Sequence, residues 1–199
     1  HLSIRRQRQM CIRDRDNPQH QQLVQQFWHS PTIAKQVGLK AVDLFEAVEA
    51  GKIKAIWIMA TNPVVSLPNA DQVKRALENC EFVVVSDICL DTDTTQYADV
   101  LLPALGWGEK DGTVTNSERR ISRQRAFLDI PEQAQADWWS VSQVAKKLGF
   151  QGFDFESSHD IFKEHAQLSA YQNAEIDLRS STETSVSYTH LRAHETGRN

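Results

Sequence analysis

Apolar residues along this chain fall into short unbroken runs separated by segments of helical spacing. From Gly38 onward, Val42, Leu44, Phe45 and Val48 recur at helical intervals. That run begins at Lys40 or Asp43 and stops at Gly51, a residue suited to the position just past a helix. Ile53 to Ala60 reads as a strand, broken by Thr61-Asn62-Pro63. Asn69 or Asp71 can cap a helix running through Val73, Ala76 and Leu77. Phe82 to Val85 reads as a strand buried on both faces and ending at Ser86-Asp87; Thr92 to Ala98 suggests a short helix, and Val100 to Pro103 a third strand. Strands that are apolar throughout, alternating with helices, predict an α/β fold: a parallel sheet with helices on both faces.

The flanks are less regular. Residues 16–37 are polar and rich in Gln, with Leu23, Val24, Phe27 and Trp28 as apolar positions and Pro31 near the end; this reads as a loop with a helical turn or two. After Pro103 the alternation stops, and Gly106, Gly108 and Gly112 mark a loop-rich stretch to about residue 132. Helical spacing returns from Trp138 to Leu148, with Asp137 as its N-cap and Gly149 at its end. A further amphipathic segment spans residues 159–170, capped by Ser157 or Ser158. Beyond Asn173 no element is assigned, and no internal repeat is apparent.

The two ends have a different origin. Met10 to Asp14 translates ATGTGTATAAGAGAC, and Val186 to His190 translates GTCTCTTATACACAT, its reverse complement. These strings resemble the inverted ends of transposase sequencing adapters. Residues 1–15 and 186–199 are therefore set aside as adapter-derived and expected to be unstructured, leaving a 16–37 lead-in, a 38–172 domain and a 173–185 tail. Of 22 Lys+Arg and 26 Asp+Glu, the ends hold seven and two; the remaining 15 and 24 give a net charge of −9. An acidic remainder argues against nucleic acid as a partner. No apolar run reaches the ~20 residues needed to cross a bilayer. Cys80 and Cys89 fit no zinc or iron–sulfur spacing and read as packing residues.

In a parallel α/β sheet, ligands bind outside the carboxyl ends of the strands. The informative polar residues are therefore Asn62, after the first strand, and Ser86 and Asp87, ending the second. A strand-end Asp can accept hydrogen bonds from ribose hydroxyls or a guanine N–H edge. The plainer account, in which Asn62 makes a turn and Asp87 caps a helix, is equally compatible with the spacing and the simpler of the two. Lys110, in the Gly-rich stretch Trp107 to Thr113, offers a point charge for phosphate, and Glu118 with Arg119 reads as an ion pair holding that loop. No P-loop, GxGxxG, HExxH or nucleophile elbow occurs.

Taken together, Ala60-Thr61-Asn62-Pro63, Val84-Val85-Ser86-Asp87, Ala98 to Pro103, Gly106 to Thr113 and Asn116 to Arg120 resemble the dimethyl-sulfoxide-reductase superfamily. Gly38 to Phe127, continuing into Ala136-Asp137-Trp138-Trp139, is similar in particular to the assimilatory nitrate reductases. The resemblance covers about residues 30–172. It implies the family's Rossmann-like third domain, an internal piece of a longer cytoplasmic oxidoreductase. It also implies a bis-molybdopterin guanine dinucleotide cofactor carrying molybdenum, and a 4Fe-4S cluster whose ligands lie elsewhere in the enzyme. Carried over by position, Asn62, Ser86, Asp87, Lys110 and Asp137 would contact the cofactor; no catalytic or metal-ligating residue is expected here. The implied partners are the remaining domains of the same enzyme and an electron-donor protein or subunit, with neither nucleic acid nor membrane. A formate dehydrogenase or periplasmic nitrate reductase of the same superfamily, or a stand-alone nucleotide-binding module, would be the alternatives. Where the family has Pro-Gly-Glu before the segment leading to Asp137, this chain has Pro131-Glu132-Gln133, so that loop lacks its glycine.

Overall fold

The computed structural model describes residues 17–34, 37–116 and 120–172. Residues 1–15 and 186–199, expected to be adapter-derived, the 173–185 tail and the Glu118–Arg119 pair lie outside the described residues. The elements in chain order are α1 (Pro18–Phe27), α2 (Ala41–Glu49), β1 (Ala55–Met59), the single turn α3 (Pro63–Ser66), α4 (Ala70–Asn79), β2 (Phe82–Asp87), β3 (Val100–Pro103), the hairpin strands β4 (Gly112–Thr115) and β5 (Ile121–Gln124), α5 (Asp137–Lys147) and α6 (Ser158–Ala170). Short 3-10 turns occupy Thr95–Tyr97 and Trp107–Glu109. The chain divides into two compact units, Gly38–Lys110 with Ala126–Val144, and the described parts of His1–Val37, Asp111–Arg125 and Ala145–Asn199.

The first unit is the α/β sheet expected from the apolar runs. β1, β2 and β3 lie side by side in that order, all parallel. The register sets Ile56 beside Val83, and Ile58 beside Val85, which lies beside Leu101 in turn; these residues therefore share one face. Onto that face pack Phe45 and Val48 of α2, Val64 of α3, and Val73, Ala76 and Leu77 of α4, forming the main core. The other face carries Trp57, Val84, Ser86 and Leu102. Burial of β2 is less complete than its composition suggests, because Phe82 is 46% exposed and Val84 only half-buried.

The helix signals act as their chemistry dictates. Asn69 caps α4, its side chain accepting from Gln72 N at 3.2 Å. Gly51 follows α2 with φ +68, a backbone region that costs glycine nothing. Arg75 Nε and Gln72 Nε2 both donate to the Glu49 carboxylate, tying α4 to α2. The Arg75 bond first, then that of Gln72, holds this carboxyl below its usual range.

In the second unit, residues 18–27 form a three-turn helix rather than the loop expected. The reason is local: the Asn17 side chain accepts from Gln19 N and His20 N, and Pro18 occupies the first turn, where its missing N–H is harmless. Val24 is buried; the Phe27 ring meets Tyr171 edge-on at 5.4 Å, and Trp28 Nε1 donates to Glu164 of α6 at 2.8 Å. Ser157 caps α6 as expected, accepting from Asp160 N while its hydroxyl donates to the Asp160 carboxylate. β4 and β5 pair antiparallel, Gly112 opposite Gln124 and Thr115 opposite Ile121. Among the described residues, no helix is long and apolar enough to cross a membrane.

Candidate functional site

The carboxyl ends of the three parallel strands are level. Met59 lies beside Ser86, and Asp87 beside Pro103. A fourth position is added past β3, where Ala104 forms a parallel bridge with Gln135: Gln135 N donates to Pro103 O at 3.0 Å and Leu105 N to Gln135 O at 3.1 Å. The Pro131 to Gln135 segment reaches that position without the family's glycine, because Ala134 N closes a turn on Pro131 O at 3.0 Å. Leu105, Ala134 and Ala136 form a small second core beneath it, with Trp138 packed against them. The strand ends thus bring the turn after β1, the end of β2, the loop after β3 and the start of α5 to one edge.

At the end of β1 the chain turns sharply. Ala60 adopts φ +52, sterically costly for a residue with a Cβ, while its N–H donates to Ser86 O at 3.0 Å. Asn62 precedes α3 but does not cap it. Its amide oxygen accepts from Thr94 Oγ1 at 2.6 Å, and its amide nitrogen lies 3.5 Å from Asp93 Oδ2. Asn62 thus engages the β2–β3 connection through its side chain, beyond merely turning the chain.

Ser86 is buried, 2% exposed, and its hydroxyl accepts from Trp57 Nε1 at 2.8 Å. The residue points to the face opposite the main core, where the indole covers it. Asp87 Oδ1 accepts from Cys89 N at 3.1 Å, closing a local turn in place of the helix cap that the plainer account gave this residue. Its second oxygen has no bond to any described residue and can accept a hydroxyl or N–H from elsewhere.

Lys110 and Asp137 come together directly, with Nζ 3.2 Å from Oδ2 and about a third of each side chain exposed (32% and 36%). Asp137 was expected to cap α5, yet it sits one place inside the helix. Ala136 O accepts from Trp139 N and Ser140 N, so Ala136 is the residue in the capping position. The carboxylate is therefore not engaged by its own helix. Its Oδ1 is buried and has no hydrogen-bond partner among the described residues, which is costly for a carboxylate oxygen unless a donor arrives from elsewhere. The loop holding Lys110 is shaped by Glu109, whose carboxylate accepts from Gly106 N at 2.6 Å. At Gly108 the exposed Leu128 and Phe127 side chains close in, and a Cβ there would lie 2.7 Å from Leu128 Cδ1 and 2.9 Å from Phe127 Cζ, so these two side chains would have to shift.

The five candidates thus lie along one sheet edge as separate contacts. Lys110 meets Asp137; Asn62, Ser86 and Asp87 each have partners of their own. Thr94 and Trp57, which hold Asn62 and Ser86, carry no signal of that role in the sequence. Trp57 becomes visible only once the register is known, because it pairs with Val84 and so lies diagonal to Ser86. The edge offers carboxylate acceptors, one cation and a strained turn. No group of three or more His, Cys, Asp or Glu among the described residues is placed to hold a metal ion.

Residues 9–147 match the model of the molybdopterin oxidoreductase family. The chain belongs to that family. It is 57% identical over 170 residues to a nitrate reductase of Shewanella frigidimarina, covering 83% of this chain and 18% of that protein. It is 42% identical over 134 residues to a formate dehydrogenase alpha subunit of Methanococcus maripaludis, covering 66% of this chain and 19% of that protein. Among solved structures it is similar to the acetylene hydratase of Pelobacter acetylenicus, with TM-score 0.53 and 20% identity over 70% of this chain and 19% of that one. This last likeness concerns the fold. The chain spans about a fifth of the length of these relatives. Its residues are compatible with the family's molybdopterin: the Asp137 oxygen without a described partner and the second oxygen of Asp87 suit amino and hydroxyl donors, and Lys110 suits a phosphate.

Proposed function

We propose that this chain is the part of a nitrate-reducing molybdenum oxidoreductase that holds one arm of a bis-molybdopterin guanine dinucleotide. The observation carrying the site is the buried Asp137 Oδ1, without a partner among the described residues, beside Lys110 at the carboxyl edge. The choice of nitrate is supported by 57% identity to a protein named nitrate reductase, against 42% to a formate dehydrogenase. When bound, the cofactor supplies two-electron oxygen-atom transfer from nitrate. This chain's residues bind and orient it. Asp137 accepts from an N–H edge, Lys110 neutralises a phosphate while holding the other Asp137 oxygen in place, and Asp87 accepts a ribose or guanine donor. Ser86 and Asn62 fix the strand ends from which these groups project. In this reading the enzyme is cytoplasmic and serves nitrate assimilation, and its 4Fe-4S cluster and electron donor are met by other parts of the polypeptide.

The test is the full-length parent enzyme assayed with reduced viologen. Nitrate reduction without formate oxidation is the expected result, and formate oxidation alone would refute the assignment. The 199-residue chain by itself is expected to reduce no nitrate above a blank, since no described residue forms a metal site.

A further inference from the structure

We infer that Thr94 is a positioning residue for the cofactor edge, acting through Asn62 to fix the turn after β1. Thr94 is completely buried, 0% exposed, in the connection between β2 and β3. Its hydroxyl does two things at once. It donates to Asn62 Oδ1 at 2.6 Å and accepts from Val64 N at 3.3 Å. Val64 N belongs to the first turn of α3, where amides have no partner within their own helix. Asn62, in the capping position of α3, does not satisfy it. A hydroxyl 32 residues further along the chain does so instead, and Asn62 is held in exchange.

The connection that carries Thr94 is itself stiff. Thr95 Oγ1 accepts from Thr92 N at 2.7 Å, Thr92 Oγ1 accepts from Thr95 N at 3.1 Å, and Thr95 Oγ1 lies 3.0 Å from Leu90 O as donor. Asp93 adds a contact to the Asn62 nitrogen. At its other end the turn is held by the Ala60 N–H on Ser86 O. The φ +52 conformation of Ala60 is thus braced from both sides, as a strained backbone at a binding edge requires. Asn62, with its oxygen bound by Thr94, shapes the site through the backbone instead of presenting its amide to a ligand. Thr94 ties the turn after β1 to the β2–β3 connection through a buried side chain, alongside the Ala60 N–H on Ser86 O.

The inference rests on the function proposed above, and two experiments separate them. In the full-length parent, guanine dinucleotide per polypeptide and the melting midpoint of the cofactor-free protein are measured for Thr94→Val, Thr94→Ser and the core control Val73→Ala. Thr94→Val is expected to lose cofactor at least fivefold, Thr94→Ser to load as wild type, and Val73→Ala to lower the midpoint while keeping its cofactor. Wild-type loading of Thr94→Val overturns the inference. So does loss in Thr94→Ser equal to that in Thr94→Val, or loss in Val73→Ala in proportion to its midpoint. In the 199-residue chain, Thr94→Val, Asn62→Ala and the double variant form a cycle that needs no cofactor. The double variant is expected to unfold at the midpoint of the worse single one, and additive losses overturn the brace. A wild-type parent carrying no guanine dinucleotide would refute the proposed function, and the cycle still decides the brace.

Discussion

Replacing Asp137 with Asn in the full-length parent is expected to weaken retention of the guanine dinucleotide by roughly 10- to 100-fold. A hydrogen bond to a charged group contributes about 1.5–3 kcal/mol, and each 1.4 kcal/mol is tenfold in affinity. The substitution preserves shape, so its effect isolates charge and acceptor character. Oδ1 is the buried atom without a described partner, and Oδ2 receives Lys110 Nζ at 3.2 Å. An amide in that place offers N–H where the site has an acceptor, and removes the charge that Lys110 Nζ faces at 3.2 Å. Lys110→Met should weaken retention in the same direction by removing the cation. The measurement is guanine nucleotide released from purified, denatured protein, normalised to polypeptide. Full loading of both variants would show that this pair merely joins the loop to α5.

The second large effect lies in the core. Leu77→Ala is expected to destabilise the sheet unit by about 2–5 kcal/mol, the range for truncating a buried leucine. Leu77 is 2% exposed and packs with Phe45, Val48, Ile58, Val83 and Val85. With a urea dependence of about 2 kcal/mol per molar, the unfolding midpoint should fall by about 1–2.5 M. Val65→Ala, 64% exposed on the turn preceding α4, should stay within about 0.5 kcal/mol of the parent chain. Denaturation of the 199-residue chain followed by circular dichroism decides it. Equal effects of the two substitutions would mean that this core is not closely packed.

How much of this could be read from the residues depends on the range of the interaction. β1, β2 and β3 were legible as apolar runs, the first two stopped by polar turns; the short helix expected over Thr92 to Ala98 shrinks to the 3-10 turn Thr95–Tyr97, yet the connection still crosses over to a parallel strand. Gly51, Asn69 and Ser157 were legible as caps because capping acts within three or four residues. The same chemistry at Asn17-Pro18 was overlooked beneath the glutamines that follow. Asp137 illustrates a shift of one residue with large consequences: periodicity placed it at the cap, and the structure places it one position inside, with its carboxylate aimed elsewhere. Thr94 and Trp57 were not legible, because their partners lie 32 and 29 residues away and become neighbours only when the sheet forms. The family motifs pointed to the edge itself, but not to which of its side chains are already engaged.

The chain leaves the sheet unit at Lys110 and returns at Ala126, and that departure is closed like a stem. Phe127 N and Leu128 N both donate to Gly108 O, at 2.8 and 2.9 Å, and Lys110 grips Asp137 a short way beyond. Because the two ends are pinned together, the sheet unit closes this gap with its own hydrogen bonds. Doubling the length of such an excursion adds only about 0.6 kcal/mol of closure entropy. The β4–β5 hairpin therefore occupies a natural insertion point. Lengthening the excursion between these pinned ends is expected to cost the sheet unit little, whatever the inserted residues are.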